Sequence, residues 1–61
     1  MPLPKDPFML LSYVNTQLRD NFSSLDELCK SLDEDEGAIR GTLERAGFAY
    51  DEGLNRFVGK Q

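Results

Sequence analysis

Three apolar stripes at helical spacing follow one another with almost no chain between them, and that arrangement leaves few folds open. Leu10, Leu11, Val14 and Leu18 form the first stripe, with Met9 and Tyr13 widening it. Leu25, Leu28, Cys29 and Leu32 form the second. Ile39, Leu43 and Ala46 form the third, with Ala38 and Thr42 beside them. A chain of 61 residues has room for one compact domain with a thin core. Each stripe must therefore be buried against the other two.

Local chemistry marks the ends of these segments. Asp6 can cap a first helix, and Pro7 suits the first helical position because its missing donor is not needed there. This helix is expected over Pro7 to about Asp20, with Asn21 ending it and Phe22 folding back onto the core. Ser24 and Glu27 have capping-box spacing at the start of a second helix too short to stand alone. For the third helix Asp33 offers a cap, with Glu36 at the box position, and Asp35 offers a competing start. Gly47 is a helix stop. Gly37 and Gly41 each weaken the third helix by about 1 kcal/mol relative to alanine, and Gly41 either permits a close helix crossing or is simply tolerated.

After Gly47 the period changes. Phe48 and Tyr50 alternate around Ala49, and Phe57 and Val58 are apolar on the return. Asp51 to Asn55 supplies the turn, where Gly53 can take a positive φ. A lone hairpin is marginal, so its aromatic residues should cover the helices. The expected fold is mainly α: a three-helix, helix-turn-helix-like domain with a small C-terminal β-hairpin as a rudimentary wing. Its core is expected around Leu11, Val14, Leu18, Leu28, Leu32, Ile39 and Leu43. Residues 1–5 read as a flexible tail, 6–58 as a single domain and 59–61 as a C-terminal tail.

The order "DPFMLLSYVNTQLRD", "SSLDELC" and "AGFAYDEGLNRFV" also resembles the bacterial domain-of-unknown-function 4250 family over nearly the whole chain. The resemblance implies a shared fold. It implies no activity and no catalytic or ligand residues.

Composition narrows the chemistry. Histidine is absent, so imidazole acid–base catalysis is excluded. Cys29 is the only cysteine, which rules out an intrachain disulfide and favours a reducing, cytoplasmic setting. It falls on an apolar helix face, where a thiol is packing. Ser23, Ser24 and Ser31 have no base to activate them. Asp33 to Glu36 lacks the alternation and central glycine of a calcium loop. No enzyme activity, cofactor or metal is expected, and no segment is apolar enough to span a bilayer.

Two binding readings remain. The first is a protein-protein interaction or self-association module, with a homodimer among its forms. Phe8, Met9 and Tyr13 on the first helix and Tyr50 and Leu54 on the hairpin are its candidate contacts. Leu54 leads because it sits in the turn, whereas Phe57 reads as core. The second is weak or partner-assisted DNA binding through Arg40 and Arg45 on the third helix and Asn55, Arg56 and Lys60 on the hairpin. A net charge of -4 and the acidic entrance of the third helix oppose it. Asn15 is expected to bond to the turn that follows its helix, and Arg19 to pair with Asp26 or another acid.

Overall fold

A computed structural model describes residues 3–60. The element order is α1 (Pro7–Asp20), α2 (Leu25–Leu32), α3 (Glu36–Arg45), β1 (Phe48–Asp51) and β2 (Arg56–Gly59). The architecture is mainly α with a two-stranded antiparallel hairpin, as the sequence implies.

Pro7 alone sets the start of α1. The Asp6 side chain makes no capping bond, and only its carbonyl joins the helix, accepting from the Leu10 amide at 2.8 Å. A proline that needs no donor leaves the carboxylate dispensable. At α2 the Ser24 hydroxyl accepts from the Glu27 amide at 3.1 Å, as expected. The return half of the capping box is displaced by one residue. The Glu27 carboxylate accepts from the Ser23 amide at 3.0 Å and from the Ser23 hydroxyl at 2.8 Å. Two donors on Ser23 outcompete the single amide of Ser24.

Asp33 does not cap α3. It closes α2 in the left-handed region, at φ 56°, and the Glu34 amide bonds back to the Cys29 carbonyl at 2.9 Å. An N-cap needs extended backbone, so that role passes to Asp35, whose side chain accepts from the Gly37 amide at 3.1 Å. Glu36 pairs with Arg40 instead of completing a box. Gly47 stops the third helix with φ 95°, where a β-carbon would be strained although nothing would touch it. Gly41 makes no close crossing: a β-carbon there would meet only the tip of Arg45, at 3.7 Å.

In the hairpin Phe48 pairs with Gly59, Ala49 with Val58, Tyr50 with Phe57 and Asp51 with Arg56. The Lys60 amide donates to the Gly47 carbonyl at 2.8 Å, so pairing runs past Val58, where the domain was expected to end. The positive φ in the turn falls on Asn55, at 53°, and not on Gly53.

The buried core is Leu10, Val14 and Leu18 from α1, Leu25, Leu28 and Cys29 from α2, Ile39 and Leu43 from α3, and Phe57 from β2. Leu11 and Leu32, expected at its centre, are half-buried at its margin. Helix α1 aims the Leu10–Val14–Leu18 row inward, and α2 is turned so that its first residue, Leu25, is buried. Leu3, within the segment read as a tail, folds back and packs against this core. Each fully buried leucine contributes about 1.5–3 kcal/mol.

Candidate functional site

The outward side of α1 is unlike the rest of the surface. No charged residue lies between Pro7 and Leu18, in a chain that is 30% charged. Phe8, Met9, Ser12 and Thr16 occupy that side, and Arg19 and Asp20 end it. Phe8 is 63%, Met9 62% and Leu54 60% exposed, and these are the large apolar side chains most open to solvent among the described residues. Phe8 stands edge-on to Phe48, with ring centroids 6.0 Å apart.

Leu54 borders the same helix from the hairpin turn. Between them lies an open groove of about 600 Å³, walled by Ser12, Thr16 and Arg19 on α1 and by Leu54 and Arg56 on the hairpin. Arginines stand on both walls, and no carboxylate lines it. Arg19 bonds to its neighbour Asp20 at 2.9 Å, not to Asp26, because the adjacent carboxylate is within reach without ordering a long side chain. That pair is exposed and stabilises the fold little.

Two asparagines form the groove floor. Asn15 Oδ1 accepts from the Phe57 amide at 2.8 Å, and Asn15 Nδ2 donates to the Phe57 carbonyl at 3.1 Å. Its partner is therefore a strand far along the chain and not the turn that follows α1. Asn55 Nδ2 donates to the Leu18 carbonyl at 3.1 Å and the Phe22 carbonyl at 3.0 Å. The Tyr50 hydroxyl donates to Asn55 Oδ1 at 2.6 Å and accepts from the Leu25 amide at 3.3 Å. These bonds satisfy the Leu18 carbonyl at the end of α1 and the Leu25 amide at the start of α2, which the helices leave unpaired, and the Phe22 carbonyl between them.

The candidate contacts thus divide. Phe8, Met9 and Leu54 are open. Tyr13 and Tyr50 are half-buried against the core, and the Tyr50 hydroxyl is taken up internally. Among the candidate DNA contacts, Asn55 is held by its three bonds and so offers no free amide edge to a base. Arg40 bonds to Glu36 at 2.8 Å and lies 5.3 Å over the Tyr50 ring. Arg45, Arg56 and Lys60 are exposed, and no ion pair holds them among the described residues. They do not share one end of the hairpin. Lys60 bonds beside Gly47 at its base, near Arg45, while Arg56 lies at the turn, about 13 Å along the strand.

Cys29 is buried, and burial pushes its thiol pKa up, with Glu36, Asp26, Asp35 and Glu34 adding to the effect. The thiol stays protonated and packs as a small apolar group. Among the described residues no three acidic or cysteine side chains are gathered to hold a metal ion. No described helix is long and apolar enough to cross a membrane.

No curated protein and no solved structure matches the chain. A family model does, over residues 4–57, from the segment before α1 to the core residue of β2. On that match the chain belongs to the family described as Domain of unknown function (DUF4250).

Proposed function

We propose that this domain is a non-enzymatic protein-binding module that meets a partner protein with the outward face of α1 and the hairpin turn. The carrying observation is that Phe8, Met9 and Leu54, the most exposed large apolar side chains among the described residues, all border an uncharged helix face. A partner covering that face removes apolar surface from water without stripping any charge before Arg19. The arginines on the groove walls suit an acidic group on the partner. A reducing, cytoplasmic setting suits the lone buried thiol.

The test is a photo-crosslinking amino acid placed at Leu54, at Phe8, or at Lys30 on α2 as a control, in the full chain inside cells. A discrete crosslinked protein is expected from positions 54 and 8 and not from 30. Equal crosslinking from all three positions, or none, rejects the reading. The alternative of weak DNA binding draws on the exposed Arg45, Arg56 and Lys60. It is opposed by the net charge of -4 and by the internal bonds of Arg40 and Asn55. Amide shifts on adding a DNA duplex, centred on Arg45 and Lys60 and reversed by moderate salt, would favour it.

A further inference from the structure

The hairpin has two outer edges, and among the described residues only one has its outward backbone groups bonded. In an antiparallel pair, residues that exchange hydrogen bonds alternate with residues whose amide and carbonyl point away from the other strand. The bond from Lys60 to Gly47 identifies the first kind, and the register extends it to Ala49–Val58 and Asp51–Arg56. Phe48–Gly59 and Tyr50–Phe57 are then of the second kind. On β2 the outward amide and carbonyl of Phe57 are both taken by Asn15. On β1 the equivalent groups of Phe48 and Tyr50 bond to no described residue outside the hairpin. An edge whose outward amides and carbonyls are unpaired is a template for another strand.

We propose that β1 pairs antiparallel with β1 of a second copy of this chain, about a two-fold axis at Ala49, to make a four-stranded sheet in the order β2–β1–β1–β2. The axis puts Phe48 opposite Tyr50 of the other copy, twice, so the outward amides and carbonyls of both residues are mutually satisfied. At the axis Ala49 meets Ala49 in the close pair type, with Cα atoms about 4.5 Å apart, where a methyl group fits. Charge agrees with this register. Asp51 falls opposite Gly47, so no two acids face each other. Glu52 comes to the end of α3, beside Arg45 of the other copy. Glu52 and Arg45 are both exposed and lack an ion-pair partner among the described residues. This complementarity is what selects a second copy over an arbitrary strand. The pairing leaves the α1 face open, so it stands independently of the partner-binding reading, and a dimer would present that face twice.

The experiment combines sedimentation equilibrium with amide hydrogen exchange, on the full chain from micromolar to millimolar concentration. A monomer–dimer equilibrium is expected. The Phe48 and Tyr50 amides should exchange about tenfold more slowly once about nine-tenths of the protein is paired, since exchange then proceeds from the unpaired tenth. Ala49→Lys sets two like charges face to face and should abolish the dimer. Glu52→Arg and Arg45→Glu should each weaken dimerisation, and the two together should restore it, which separates pairing from any loss of folding. A strict monomer at every concentration overturns the proposal. So does a dimer in which those two amides exchange as in the monomer, or one in which the charge swap gives no rescue.

Discussion

The side chain of Asn15 takes the place of a third strand beside Phe57, accepting from its amide at 2.8 Å and donating to its carbonyl at 3.1 Å. Phe57 is itself a core residue, so the pair fastens the hairpin to α1 at the core. Asn15→Ala removes both bonds and leaves both backbone groups without partners. The expected loss is about 2 kcal/mol, measured by urea denaturation, with faster exchange of the Phe57 amide. A stability within about 0.5 kcal/mol of the parent would show that water replaces the clamp without cost.

Tyr50 and Asn55 act as one unit. Tyr50→Phe keeps the ring, which packs 5.4 Å from Phe57, and deletes only the hydroxyl between Leu25 and Asn55. It should cost about 1 kcal/mol. Asn55→Ala should cost about 3 kcal/mol, because it loses three bonds and the side-chain amide that lets asparagine tolerate a positive φ better than alanine. Asn55→Gly should recover about 1 kcal/mol of that. The double variant of Tyr50→Phe and Asn55→Gly should lose less than the sum of the two, and strict additivity would break the proposed coupling.

Gly41→Ala should stabilise the domain by about 0.5–1 kcal/mol. The added methyl group meets only the movable end of Arg45 at 3.7 Å, an ordinary contact, so the helix-propensity gain is not opposed. A lower thermal midpoint for this variant would mean that the glycine is needed for a contact made outside the monomer.

The bonds from Ser23 hold the Glu27 carboxyl below the usual carboxylate range. Its folded pKa is thus lower than its unfolded one, so the unfolded chain binds more protons across that window. The stability it contributes is fully present above the unfolded pKa and is lost as pH falls through the folded one. Glu27→Gln should flatten the acid limb of the stability curve and leave the slope above pH of about 6 unchanged. Parallel curves for the two proteins would assign the acid sensitivity to other carboxyls, Asp20 among them, which the guanidinium of Arg19 also holds low.

Helix ends were readable because their chemistry is local. Pro7, Ser24 and Gly47 act on backbone groups within a turn of themselves, and each does so in the structure. The exposure of Leu54 followed from its place in a turn. What escaped the sequence depends on distance or on competition. Asp33 and Asp35 are both competent caps, and the choice fell to the residue not needed for the chain reversal. Gly53 and Asn55 can both take positive φ, and three tertiary bonds drew that conformation to Asn55. Which leucine rows face inward is set by how the helices rotate on one another, so Leu10 and Leu25 displaced Leu11 and Leu32. Asn15 carried one signal, an amide beside Val14 in an uncharged stretch, but nothing local names Phe57 as its partner.

The asparagine ties also bear on the lifetime of the native state. Asn15 reaches across 42 positions to Phe57, and Asn55 reaches back 37 and 33 positions to Leu18 and Phe22. Bonds that require every intervening helix to be in place are expected to form late, after the barrier to folding has been crossed. Asn15→Ala should therefore accelerate unfolding in stopped-flow measurements while the refolding limb barely moves. On that outcome the clamps set how long the folded domain lasts, while the leucine stripes set how quickly it forms.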